Sequence, residues 1–282
     1  MNNTLNVKEE STLYEYLRAN LKDSKNTIKG FLTKKMVTVN GKTITKYDYP
    51  LHKGDTIVIG NTFIEAYKKE IDIIYEDRDI VVVNKPSGLL TIATEKEKER
   101  TLYSIVSNYV KEEDRRNKIF IVHRLDKDTS GVVVFAKNEK IKNELQSNWN
   151  DNVKRKYIAI VHGSTKDEDT IKLSLKESNS GNTYVANGGD LAITKYKKIA
   201  SDDNYSYVDI EILTGKKNQI RVSFAHINCP LLGDKKYGVK DDARRLMLHA
   251  YKLELTNPIN KKKMEFLADI PKEFKYYKKN MK

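Results

Sequence analysis

Two aspartates two residues apart, Asp126 and Asp128, stand in the stretch His123-Arg-Leu-Asp-Lys-Asp-Thr-Ser-Gly131. Ile119–Val122 before it and Val132–Phe135 after it are runs of apolar, mostly β-branched residues that read as buried strands. On a strand, side chains at i and i+2 share a face. A carboxylate pair roughly 6.5–9.5 Å apart can act as general acid and base at a glycosidic carbon. The Thr-Ser-Gly that follows favours a turn instead, in which Asp128 reads as a loop-capping residue. An aspartate titrates near ~3.9 in water and is ionised at neutral pH unless burial opposes it. A carboxylate at the end of a buried strand therefore calls for a cation nearby.

Four further polar clusters interrupt the apolar pattern: Asn84-Lys-Pro-Ser-Gly88, Arg155-Lys-Tyr157, Thr214-Gly-Lys-Lys-Asn-Gln-Ile-Arg-Val-Ser-Phe-Ala-His226 and Gly233-Asp-Lys-Lys-Tyr-Gly238. Taken singly they are a β-turn, a basic strand edge, a loop entering a strand and a second turn. The five His and one Cys show no metal-ligand spacing, and neither a GxxxxGK nor a GxGxxG turn occurs. The expectation is chemistry without metal or cofactor.

Composition limits the partners. The 282 residues carry a net charge of +13, and 17 tyrosines offer flat faces for stacking. That combination points to a polyanion with aromatic bases. The N-terminus lacks an apolar signal-like core and no run of about 18 apolar residues occurs, so a membrane role is not expected. The single cysteine, Cys229, allows no internal disulfide and fits a reducing cytoplasm.

Periodicity divides the chain into residues 1–60, a linker at 61–70 and a larger domain at 71–282. In the first part, Thr12-x-x-Glu15 has the form of a capping box, with Leu13, Leu17 and Leu21 at helical spacing behind it. Asp23 or Ser24 can cap a second helix carrying Ile28, Phe31 and Leu32. Asn40-Gly41 between Val39 and Ile44 marks a hairpin, and Lys53-Gly54-Asp55 a turn before the strand Thr56–Ile59. Ten basic against six acidic residues lie in this part. In the larger part, Thr101–Val110 and Ile141–Trp149 read as helices. Ile73-Ile74, Ile80–Val83, Lys156–Val161, Ile193–Lys197, Tyr207–Leu213 and Leu246–Leu255 read as strands. Short strands without regular βα alternation predict an α+β fold with a mixed, largely antiparallel sheet.

The order helix, basic helix, NG hairpin, K-G-D strand resembles the small RNA-binding domain of the S-four type. That resemblance implies RNA contact by Lys22, Lys25, Lys29, Lys34 and Lys35. NKPSG, HRLD with T-S-G, RKY, QIR and GD-x-x-YG, in this order, resemble the RluA family of pseudouridine synthases over roughly residues 71–270. The resemblance implies a cofactor-free isomerisation of uridine to pseudouridine in RNA. It implies Asp126 as catalytic carboxylate, Arg221 as its ion-pair partner, and Tyr157 as a stacking face that assists proton loss from C5. It also places Arg124 in the vacated base stack and Lys85 among the RNA-binding residues. His123 is read as a structural hydrogen-bonding residue. Whether the carboxylate attacks C1′ or takes a proton from C2′ stays open. Asn218 and Ser223 depart from the family's commoner histidines. Large-subunit ribosomal RNA is the expected substrate and a monomer the expected state; transfer RNA, or RNA binding without catalysis on the same fold, are the alternatives.

Overall fold

Two separate apolar patterns build two separate cores. The computed structural model describes residues 3–33, 36–60, 71–95, 97–147, 149–279 and 281–282. Lys34, Lys35 and the expected linker at 61–70 fall outside these described residues. The chain divides into two compact units, Met1–Glu70 and Ile71–Lys282.

The first unit contains β1 (Asn3–Asn6), β2 (Ser11–Thr12), α1 (Leu13–Asn20), α2 (Lys25–Thr33), β3 (Val37–Val39), β4 (Lys42–Thr43), β5 (Pro50–Leu51) and β6 (Thr56–Ile59). Its four-stranded sheet has the order β1-β6-β3-β4, and β2 pairs with β5. Leu13, Leu17, Ile28, Leu32, Val37, Val39 and Ile57 form its core. Asn40 and Gly41, at φ 48° and 78°, make the hairpin turn that their sequence predicts. The capping box does not form. Leu13 and Tyr14 donate their backbone N–H groups to Tyr49 and Tyr47 carbonyls, so Thr12 Oγ1 is free to donate to Glu15 at 2.9 Å. Ser24 Oγ accepts from Thr27 N–H at 3.2 Å and caps α2.

The second unit begins with β7 (Asp72–Glu76), β8 (Ile80–Lys85), α3 (Leu102–Glu113), β9 (Phe120–Ile121), β10 (Ser130–Ala136), α4 (Glu139–Ser147) and α5 (Trp149–Asn152). It continues with β11 (Val153–His162), β12 (Glu168–Glu177), β13 (Thr183–Val185), β14 (Asp190–Ser201), β15 (Tyr205–Ile212), α6 (Gln219–His226), β16 (Leu248–Thr256), β17 (Lys263–Leu267) and α7 (Lys272–Lys278). One sheet runs β13-β12-β14-β15-β11-β16-β10-β8-β7, with β17 added beside β16 and β9 beside β10. The pairings are antiparallel apart from β10 with β16. The fold is thus α+β around a mixed, largely antiparallel sheet.

β10 is buried along its whole length, which is why it reads as a continuous apolar run rather than an alternation. β12 was not among the expected strands, although Ile171, Leu173 and Leu175 alternate along it and are buried. The segment QIRVSFAH forms helix α6, not the expected strand entry. Gln219 through Phe224 are all buried, so packing surrounds the helix and no one-sided apolar stripe betrays it. The C-terminal segment is docked: Phe274 is fully buried, and Lys282 and Ser201 exchange backbone hydrogen bonds.

The parallel contact of β10 with β16 is short, pairing Ser130 with His249 and Gly131 with Ala250. Gly131 has φ 121°, and a Cβ there would lie 2.1 Å from the Ala250 carbonyl oxygen. The glycine that ends the HRLDKDTSG loop is therefore the place where two backbones touch beneath it. Gly131→Ala must push the strands apart at a cost of about 2 kcal/mol or more. Thermal unfolding should show a Tm lowered by about 5 °C or more; an unchanged Tm would mean the sheet yields freely here.

Candidate active site

The loop between β9 and β10 carries Asp126, and the NKPSG turn after β8 holds its backbone from below. Lys85 ends β8 with no exposed surface. Its Nζ donates to the carbonyls of Pro86 at 3.0 Å, Leu89 at 2.7 Å and Lys127 at 3.0 Å. Ser87 Oγ donates to the Asp128 carbonyl at 2.7 Å, and Gly88 N–H to that of Lys127 at 2.9 Å. Thr91 Oγ1 donates to the Leu125 carbonyl at 2.7 Å and accepts from Leu125 N–H at 3.2 Å. The carbonyls of Leu125, Lys127 and Asp128 and the N–H of Leu125 are thus tied to the segment 85–91, which the sequence alone marks only as a turn. Lys85 is not an RNA-contact residue: all three of its protons are used inside the protein. Burial pushes the ammonium down to about 7, while Asp128 and then Asp126 pull it back up.

Asp126 is half-buried and lines a cavity of about 740 Å³ with Arg124, His123, Trp149, Arg155, Tyr157 and Arg221 among its walls. That size suits a nucleotide-sized ligand. Burial raises the Asp126 pKa, opposed by the positive charges of Arg221, Arg124, Lys85 and Lys236. Asp128 is exposed, and its carboxylate caps nothing among the described residues; the turn is closed instead by Thr129 N–H donating to the Asp126 carbonyl at 3.2 Å.

Arg221 does not make the expected ion pair with Asp126. Its Nε and Nη2 donate to the two oxygens of Asp234 at 2.8 and 2.6 Å, a bidentate pair buried on both sides. Nη1 donates to Asn218 Oδ1 at 3.2 Å. The guanidinium acts on Asp126 through space, which leaves that carboxylate without a tight partner among the described residues. Asp234 is the functional residue the sequence reading missed; only its place in GD-x-x-YG signalled it. Burial raises its pKa, but Arg221 and the Tyr237 and Lys236 N–H groups hold it below the usual carboxylate range. Asn218 stands at the start of α6 with φ 52°, a left-handed conformation asparagine tolerates. There its Nδ2 donates to the Tyr237 hydroxyl at 3.1 Å. Ser223 is fully buried and its hydroxyl lies 3.2 Å from that of Thr194, away from the cavity.

Tyr157 faces the cavity from β11, opposite a register shift between β11 and β16. Burial pushes its phenol up to about 12, with Arg155 lowering and Asp126 raising it, so it is neutral at ordinary pH. His123 is structural as expected: its Nε2 accepts from Val134 N–H at 3.1 Å and its ring lies 4.7 Å from that of Trp149. Burial and then the Arg155 charge bring it down to about 3, so it stays neutral. Arg124 is exposed at the rim. Lys216 and Lys217 share that rim, tied to Asp190 at 2.9 Å and to Glu177.

Lys85→Met keeps the length of the side chain but takes the Lys85 donor from the Pro86 and Leu89 carbonyls and leaves the Lys127 carbonyl with Gly88 N–H alone, each carbonyl left unsatisfied costing about 1–3 kcal/mol before the relief of ammonium desolvation. The variant should be less stable and slower by about 100-fold, as Asp126 drifts from its geometry. The pH dependence has a definite sign. Between about 7 and the ordinary lysine value of 10.5 the folded protein binds fewer protons than the unfolded chain. Wild-type stability relative to the variant therefore rises with pH across that window. Urea titrations at several pH values check this; a flat difference, or a variant with wild-type rate, would contradict the clamp.

Residues 79–226 match the family described as RNA pseudouridylate synthase. An uncharacterized RNA pseudouridine synthase of Bacillus subtilis is 32% identical, over 96% of this chain and 94% of that protein. Ribosomal large subunit pseudouridine synthase D of Borreliella burgdorferi is 34% identical, over 86% of this chain and 80% of that protein. The fold is that of human RNA pseudouridylate synthase domain containing 4, with a TM-score of 0.65 at 22% identity over 78% of this chain and 96% of that one. With that family match and relatives that align along most of their length, the chain belongs to the RluA-type family of RNA pseudouridine synthases, isomerases that act on RNA.

Proposed function

We propose that the chain isomerises uridines of large-subunit ribosomal RNA, with Asp126 as the catalytic carboxylate and the first unit as an RNA anchor. The observation that carries the chemistry is Asp126 itself: a carboxylate whose pKa burial raises, facing a cavity of about 740 Å³ and bonded to no cation among the described residues. The ribosomal target is supported by the Borreliella burgdorferi relative, which is named a ribosomal large subunit pseudouridine synthase.

The target uridine leaves its stack at a cost of a few kcal/mol, and Arg124 at the rim fills the gap with a planar cation. The base enters against Tyr157, with its ribose at Asp126. The carboxylate acts at C1′ or at the C2′ proton, and C1′–N1 breaks with its electron pair going to the uracil ring. The ring turns and C5 bonds to C1′, displacing the Asp126 carboxylate where it had added there or, on the other route, with Asp126 returning its proton to C2′; the C5 proton then leaves and N1 gains one. No electrons are gained or lost overall. Tyr157 begins as a phenol, so its part in proton removal from C5 is positioning and relay rather than attack as a phenolate. Asp126 must be ionised at the start, so the rate should fall on the acid side at a pH above the ordinary aspartate range.

Lys22, Lys25 and Lys29 are exposed around and on α2, and Lys25 and Lys29 stand one turn apart. Three phosphate contacts there would release counterions on binding. The full-length protein should form pseudouridine in large-subunit ribosomal RNA from cells lacking it. The triple variant Lys22→Glu, Lys25→Glu, Lys29→Glu should bind that RNA more weakly, with a log–log salt slope smaller by about 2–3. Modification of transfer RNA alone would overturn the target, and an unchanged slope would remove the anchor.

A further inference from the structure

Arg155 is a charged cavity residue that takes no part in the chemistry assigned to Asp126 and Tyr157. It is 5% exposed. It stands on β11 two residues before Tyr157, so both side chains leave the strand on one face, and both line the cavity. Its guanidinium is only partly satisfied. Nη2 donates to Asn150 Oδ1 at 2.9 Å and more weakly to the Ile212 carbonyl at 3.4 Å. Nε is buried without an acceptor, and no carboxylate pairs with Arg155 among the described residues. Burial accordingly lowers its pKa, with Tyr157 opposing.

A buried cation without a counter-charge costs several kcal/mol. A core position gains nothing from that arrangement; a site for transient negative charge does. Gly215 supports the second reading. Its φ lies outside the left-handed region, yet a Cβ there would sit 2.9 Å from Arg155 Nη1. This glycine provides space for the guanidinium rather than backbone freedom. Depth decides which negative charge is meant. The phosphates of an extruded nucleotide stay at the mouth, where Arg124 and Lys217 are exposed. Arg155 lies within, beside the Tyr157 ring on which the base rests.

We infer that Arg155 is a catalytic residue that holds a uracil carbonyl oxygen and stabilises the detached uracil anion between cleavage of C1′–N1 and formation of C1′–C5. This rests on the reading of Asp126 and Tyr157 as the reacting site. When C1′–N1 breaks, its electron pair spreads over N1 and the carbonyl oxygens, and Arg155 donates N–H to that charge without losing a proton. When C5 bonds to C1′ the charge leaves the oxygens, so the contact weakens and the product is not trapped.

The test uses full-length protein and total RNA from cells lacking it, grown with or without 5-fluorouracil, with nucleosides read by mass spectrometry under single-turnover conditions. Arg155→Gln should lower the rate by about 100-fold while RNA affinity stays within about twofold. Arg155→Lys should restore part of the rate, and Gly215→Ala, which keeps the cation but displaces it, should lose about 10-fold. The fluorinated base is a more stable anion and needs less help, so the Arg155→Gln loss in consumption of 5-fluorouridine should shrink about 10-fold. An equal loss on both bases would make Arg155 merely structural, and lost affinity at an unchanged rate would make it a phosphate contact; either overturns the inference. Asp126→Asn run alongside keeps the two readings apart: its full activity would sink the site itself, whereas its inactivity beside a fully active Arg155→Gln would sink only this role.

Discussion

An ammonium group with no access to water sits under the loop that carries Asp126, and the rest of the site depends on it. Lys85 gathers three carbonyls, one from each side of its own turn and one from the loop above. Three acceptors match the three protons of a charged lysine, so the geometry is built for the ammonium even though burial works against it. Fixing the backbone at Lys127 fixes the direction of Asp126 one residue earlier. The carboxylate is then aimed by main-chain constraints and needs no side-chain partner of its own.

That division of labour extends to the other side of the cavity. Arg221 is held by Asp234, Asn218 and the face of the Tyr237 ring, 5.2 Å away. A guanidinium bonded directly to Asp126 would quench its basicity and its nucleophilicity alike. Held back, it still favours the ionised form through space, and so offsets part of the cost of burying the carboxylate. Gln219 anchors the neighbouring loop in the same manner, accepting from Thr214 Oγ1 and Lys216 N–H and donating to Ile193 and Thr194. Side chains of α6 therefore position the wall of the cavity more than they reach into it.

Much of this was legible in the sequence, and the failures have physical reasons. The NG hairpin, the helix behind Thr101 and the apolar strand β10 follow local rules of turn chemistry, capping and burial. Asp126, Arg124 and Tyr157 were found through motifs and do face one cavity. Lys85 was misread because a lysine is almost never fully buried. Arg221 was given the wrong partner because its distance from Asp234 along the chain closes only when α6 and the GD turn are both placed. Alternation of Gln219, Ile220, Arg221 and Val222 imitates a strand, since a helix buried on every side loses its own periodicity. Arg155 stands in the Arg155-Lys-Tyr157 motif, but nothing local says that its guanidinium lies inside.

The proposed role of Asp126, aimed by the Lys85 clamp, is to convert uridine to pseudouridine within RNA. The most direct measurement incubates cellular RNA carrying tritium at uracil C5 with wild-type protein and with Asp126→Asn. Tritium release by the wild type alone, no free uracil, and RNA binding retained by the variant are expected. Equal release by Asp126→Asn, or release of uracil into solution, would contradict that role.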